Sequence, residues 1–261
     1  MTDSTTASRK AENRQKAPKG RRFLKGALVL AFWLLIWHGI AAGVGLQLLL
    51  PGPLPVLRRL GELFTAVRFY QTILLTMGRI LLGFFAAVLA GTLLALLTTG
   101  LPFFHRLFAP LLGTIKATPV ASFILLAFSS SGTVVLCSFL MVLPLAWSNV
   151  AAGIENVDPQ LLEMGRLFHF SLWKQVRYLY VPAVLPYFTA AVSNGLGFAW
   201  KSGVAAEVLG SPRLSIGKEL YGAKITLEFV DLFAWTIVVI LMSILMEKLA
   251  LAMIEGMKKR L

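Results

Sequence analysis

The chain has 261 residues, 57% of them hydrophobic and only 14% charged, with a mean hydropathy of +0.76. Soluble globular domains average about 45–50% apolar and about 25% charged, so this balance excludes an ordinary soluble globule and points to the bilayer as solvent. The net charge of +13 does not argue for nucleic acid, because nearly half of the excess falls within the first 25 residues, directly before an apolar run.

That end comes first. Residues 1–25 hold eight Lys/Arg, from Arg9 to Lys25, against Asp3 and Glu12 alone. A polar basic tail running into an apolar helix is a cytoplasmic membrane flank, and residues 1–22 are expected to be disordered. The apolar run from Phe23 is longer than a signal-peptide core and lacks a small-residue cleavage pattern, so no cleaved leader is expected.

A membrane-crossing helix needs about 20 mainly apolar residues. Stretches near 26–46, 71–97, 108–128, 133–153, 186–209 and 232–252 qualify. The expectation is an all-α polytopic bundle of about six spans. The second contains Arg79, the third Lys116 and Pro119, and the fifth Lys201 and Glu207. With the N-terminus inside, the inner segments carry 15 Lys/Arg and the outer ones 6. Both termini are therefore expected in the cytoplasm. The membrane domain then covers 23–255, with an inner loop at 154–185 and a short inner tail at 256–261. Small residues recur within spans, among them Gly83, Ala87, Gly91, Gly195, Ala199 and Gly203, and predict close helix packing.

Intramembrane charges usually face a cavity or a partner, at a cost of at least about 2.5–3.5 kcal/mol on insertion scales. Arg79 is expected to snorkel from near the start of its span. Glu207, near the outer end of its span, divides between snorkelling and pairing. Lys201 does not suit it as a partner, since six helical steps place the two on different faces. Lys116 precedes Pro119, which loosens the helix, and Lys201 sits mid-span. Both are candidate pathway residues able to attract an anion. Ser122 and Asn194 join them, with helix–helix hydrogen bonding as the simpler role. The lone Cys137 lies in an apolar run and reads as a small buried hydrophobe.

The inner loop reads DPQLLEMGRLFHFSLWKQVRYLYVPAVLPYF over 158–188. Asp158 and Pro159 form a helix start, followed by an apolar face of Leu161, Leu162, Met164, Leu167 and Phe168. Ser171 is placed to cap a second short helix carrying Leu172, Trp173 and Val176. Pro182 is expected to end that helix and Pro186 to open the fifth span. The residues alone leave two readings open: an interfacial pair resting in the headgroups, or a dock for a cytoplasmic partner.

The loop resembles the EAA loop of ATP-binding-cassette (ABC) importer permeases. Glu163-Met164-Gly165 occupy the motif's start and Val181-Pro182-Ala183-Val184-Leu185-Pro186 its hydrophobic-Leu-Pro ending. LLLPGPLPVL at 48–57, RILLGF at 79–84, IKATPVASF at 115–123 and GLGFAWKSGVAAEVLG at 195–210 resemble the sulfonate/nitrate/taurine branch. The resemblance spans 23–255. It implies a MetI-like, type I importer fold acting as a homodimer in a prokaryotic cytoplasmic membrane. It also implies two ATPase subunits that carry ATP and Mg, and an extracytoplasmic solute-binding protein. No cofactor is expected on this chain. The docking helix would present Glu163, Gly165, Arg166, Phe168 and His169, with Ser171 and Trp173 flanking. Two departures stand out. The motif's loop glycine falls at His169, and its alanines are Met164 and Gly165. A small solute bearing an anionic group, such as a sulfonate, nitrate or taurine, is the expected cargo, with a pyrimidine vitamin precursor as an alternative.

The chain has no G-x-x-x-x-G-K-[ST] of its own, no G-x-S-x-G, no H-E-x-x-H and no Cys/His cluster. An enzyme is therefore not expected, and ATP hydrolysis falls to a separate subunit. A stand-alone secondary transporter would commonly show inverted repeats, and no internal repeat is visible.

Overall fold

A computed structural model describes residues 19–45, 49–126 and 130–258. The basic tail thus lies outside the described residues over 1–18, as does 259–261. Every regular element among the described residues is helical. In chain order these are α1 (Lys19–Val44), α2 (Pro53–Leu63), α3 (Val67–Gly100), α4 (Pro102–Ala117), α5 (Val120–Leu126) and α6 (Ser130–Glu155). There follow α7 (Pro159–Leu167), α8 (Leu172–Gln175), one π-helical turn (Val176–Tyr180), α9 (Val181–Gly210), α10 (Ile216–Ile225) and α11 (Phe229–Lys258).

Four of these, α1, α3, α6 and α11, are long and apolar enough to cross a membrane. At 30 residues α9 matches them in length, but Ser193, Asn194, Lys201, Ser202 and Glu207 dilute its apolar character. The expected third span is not one helix. Thr118 is extended, with φ −78° and ψ 128°, because Pro119 disfavours the helical conformation in the residue before it. The chain there divides into α4 and α5.

The core is a sandwich of α3, α6 and α9, with α6 packed along both neighbours. Small residues make this possible. A Cβ on Gly83 would stand 2.4 Å from the Val135 carbonyl oxygen of α6, and one on Gly203 would stand 2.5 Å from Ile80 Cγ1. Bare backbone at these positions lets the helices touch, as small-residue stripes do in membranes. Gly197 has open space around its Cβ position, so not every small residue of the stripe is an interface. The Ser138 hydroxyl donates to the Ala199 carbonyl across the α6–α9 seam at 3.2 Å. α11 closes one side, where Trp200 Nε1 donates to the Val239 carbonyl at 3.1 Å. α1 stays at the edge with most of its side chains exposed, touching α11 where Trp37 stacks on Phe233 at 5.9 Å.

The start of α9 departs from the sequence reading. Pro182 does not end a helix and Pro186 does not open one; both lie within the first turns of α9. Proline removes a backbone donor and crowds the preceding turn. At Pro182 the π-helical turn just before absorbs this change, since its wider spacing lets the Val181 N–H reach the Val176 carbonyl. Thus α8, the π turn and α9 make one continuous rod.

Candidate functional site

The loop between α6 and α9 folds into a knob. Asp158 caps α7, its side chain accepting from the Gln160 N–H at 2.8 Å, with Pro159 at the first helical position. The helix ends at His169, whose φ is +49°. The Phe170 N–H donates to the Gly165 carbonyl at 2.8 Å and the His169 N–H to the Arg166 carbonyl at 3.0 Å. This pair of bonds is a Schellman ending, which normally takes glycine at the left-handed position. Histidine holds it here, so the bend expected of the motif survives the substitution. His169→Gly is expected to keep the loop's shape. His169→Val, whose branched Cβ is much less tolerant of positive φ, is expected to loosen it, read as faster proteolysis at 166–171.

The knob's surface is mixed. Leu167 (79% exposed), Phe168 (71%), Leu172 (81%) and Trp173 (72%) form an uncovered apolar tip. Glu163, Arg166, His169 and Ser171 are exposed beside it. Ser171 precedes α8 but its side chain makes no capping bond. Gly165 differs from the other expected docking residues. It is buried, with Leu179 Cδ1 standing 3.0 Å from where a Cβ would be and Phe170 behind it. It seats α7 on the rod.

A second constellation sits at the far end of α9. Glu207 is fully buried. Its Oε1 accepts from Arg79 Nη1 at 3.3 Å, and its Oε2 from Thr76 Oγ1 at 2.9 Å and the Gly217 N–H at 3.2 Å. Arg79 also donates to the carbonyls of Arg213 at 3.0 Å and Leu214 at 3.3 Å. Arg79 therefore does not snorkel and Glu207 pairs, each with a partner on a different helix. The Ile216 N–H donates to Thr76 Oγ1, and the Lys218 N–H to Ser215 Oγ. Together with Gly217, these satisfy N–H groups at the start of α10 that have no partner within their own helix, and the carboxylate lies where the helix dipole favours negative charge. Only glycine fits at 217: a Cβ would come within 2.3 Å of Glu207 Cβ and Val208 N. The result is a clasp folding residues 211–217 back onto α3.

Composition gave no hint of Thr76 or Gly217. The usable signal was two opposite charges, Arg79 and Glu207, in separate apolar runs. Beyond the clasp, Arg59 reaches Asp231 through Nε and Nη2 and also Glu62, while Arg68 reaches Glu219. These pairs tie α2 to α11 and α3 to α10. Asp231 first, then Glu62, hold the Arg59 guanidinium above its ordinary pKa.

The candidate pathway residues fall in two groups. Asn194 and Lys201 lie on an exposed stripe of α9 together with Ala190, Phe198, Ala205 and Leu209. Lys116 lies in the last turn of α4 and lines a cavity of about 240 Å³ with Ile115, Leu140, Met141, Pro144, Leu145 and Phe198. Phe198 thus borders both the cavity and the stripe. Ser122 is half-buried on α5 and does not line that cavity.

Residues 27–260 match the family model described as the binding-protein-dependent transport system inner membrane component. The chain belongs to this family. It is an inner-membrane permease subunit of a binding-protein-dependent ABC importer, a transport subunit and not an enzyme. The permease is 27% identical over 209 residues to a Bacillus subtilis protein named for aliphatic sulfonates transport, SsuC, covering 77% of this chain and 75% of the other. It is 25% identical over 210 residues to the nitrate import permease NrtB of Synechococcus elongatus, covering 74% of each. Its fold is similar to that in the crystal structure of an amino acid ABC transporter with histidines. The TM-score is 0.59 at 18% identity, over 76% of this permease and 95% of that chain.

Proposed function

We propose that this permease works as a homodimer with six membrane crossings per copy, α4–α5 and α9 adding two to the four long apolar helices. It imports a small solute bearing an anionic group, of the sulfonate, nitrate or taurine kind, and the α7–α8 knob docks on the ATPase. The observation that carries the docking reading is the apolar tip of Leu167, Phe168, Leu172 and Trp173, seated on a rigid Schellman turn and left uncovered. An apolar surface rimmed by polar groups marks an interaction site. The anion reading is supported by Lys116 in an otherwise apolar cavity and by Lys201 on the neighbouring stripe. Alternating access would let closure of the ATPase pair shift the populations of inward- and outward-open forms.

Sidedness tests the first part. In a Cys137→Ser background, Leu172→Cys should react with an impermeant thiol reagent in inside-out vesicles and resist it in intact cells; the reverse pattern overturns the docking assignment. For the second part, Lys116→Ala and Lys201→Ala should each abolish stimulation of the assembled importer's ATPase by anion-loaded binding protein. Basal hydrolysis should persist. Full stimulation in both variants removes the two lysines from the pathway.

A further inference from the structure

We propose that the cavity between α3, α6 and the start of α9 is a binding site for an anionic phospholipid. One acyl chain would lie in the cavity, with the phosphate held by Arg177 and Lys174. The placement of those cations on the cytoplasmic side rests on the docking assignment above.

The cavity has a volume of about 470 Å³ and its wall includes Leu96, Val150, Ile154, Val184, Leu185 and Phe188. Thr92 also lines it, but its hydroxyl is turned onto its own helix, donating to the Val88 carbonyl at 2.7 Å. Hydrocarbon therefore suits this wall better than a polar solute does. Hydrocarbon placed against these apolar side chains gains dispersion contacts with each of them. In a membrane protein an acyl chain is the nearest filling.

Two cations stand close to the lining residues along the chain. The π-helical turn contributes Val176 and Tyr180 to the lining, and π turns recur at functional positions. Arg177 adjoins Val176 and stands one turn before Val181, which also lines the cavity. Lys174 lies one turn earlier still, and both cations are exposed. Glu155, next to the lining residue Ile154, is the carboxylate nearest in sequence, so the cations outnumber it. Anionic lipids are concentrated in the cytoplasmic leaflet and are attracted to such basic groups. The combination of a hydrocarbon-lined cavity and two adjoining cations selects an anionic lipid over a neutral one.

The test uses the full chain, purified and reconstituted in phosphatidylcholine vesicles. These carry a trace of either phosphatidylglycerol or phosphatidylcholine with a photoactivatable acyl chain. The phosphatidylglycerol probe is expected to label peptides containing Leu96, Val150 and Val184 several-fold more than the phosphatidylcholine probe. A Lys174→Ala/Arg177→Ala variant should bring the two probes level. Val184→Phe, which fills the cavity, should suppress both; Leu96→Phe serves if that variant does not fold. Soluble glycerol phosphate should not compete. Equal labelling of the unmodified chain by both probes overturns the proposal. So does absence of labelling accompanied by a disulfide between Val184→Cys residues of two chains, which would show a second copy covering the cavity. Both leaflets of these vesicles carry probe, so labelling does not depend on which side the loop faces. The thiol sidedness experiment fails or succeeds separately.

Discussion

Glu207→Ala is expected to destabilise the permease by about 3–5 kcal/mol, the usual cost of removing one partner of a buried ion pair. The substitution strands Arg79, which is largely buried at 16% side-chain exposure. It also leaves the Gly217 N–H and the Thr76 hydroxyl without their shared acceptor. Heat unfolding of the detergent-solubilised chain measures the loss. A double-mutant cycle with Arg79→Met separates pairing from packing. The two losses should fall short of additivity by at least about 1 kcal/mol, as contacting residues in one network do. Additive losses would mean that the pair is incidental to the fold. Glu207→Gln retains an acceptor for Thr76 and Gly217 but no charge for Arg79, and should fall between Glu207→Ala and the parent.

Trp173→Ala and Leu172→Asp are expected to release the ATPase from the permease without unfolding it. Truncating an aromatic anchor at the centre of an interface commonly costs about 2 kcal/mol or more, roughly thirtyfold in affinity. Copurification of the ATPase should fall while the permease's own unfolding midpoint stays within error. Glu163→Arg tests the charged rim in the same assay. Gly165→Asp should behave differently. Its carboxylate would be driven against Leu179 and Phe170, so it should lower the midpoint as well as the assembly. Undiminished copurification with both tip variants would move the dock elsewhere.

Much of this architecture was legible in the sequence because it is local. The Asp158-Pro159 start follows from neighbouring side chains, whereas a left-handed position at 169 was implied only by the resemblance to the permease loop; both stand in the structure. The stripe of Gly83, Gly91, Gly195 and Gly203 announced close packing for the same reason. What the sequence hid is non-local or compensated. Arg79 and Glu207 lie 128 positions apart, and reading each against its own span made Arg79 look like a snorkelling residue. Gly165 was placed on the docking surface by the resemblance to the family loop; its burial depends on Leu179, which lies beyond the turn. The prolines of VPAVLP looked like breaks because the rule for α-helices does not allow for a π turn ahead of them. At Pro119 only a loosening was expected, and the structure goes further: the helix breaks there and the third span loses its continuity.

The unbroken passage from α8 through the π turn into α9 makes a long lever. At about 1.5 Å of rise per residue, the 30 residues of α9 alone extend roughly 45 Å. A tilt of about 5° at the knob would swing the far end sideways by roughly 4 Å for a rod of that length. A flexible hinge at Pro182 or Pro186 would dissipate such a movement at its first joint. Here the swing would arrive at Lys201 with most of its amplitude. At Glu207 it would meet the clasp on α3, which makes that ion pair the lever's anchorage.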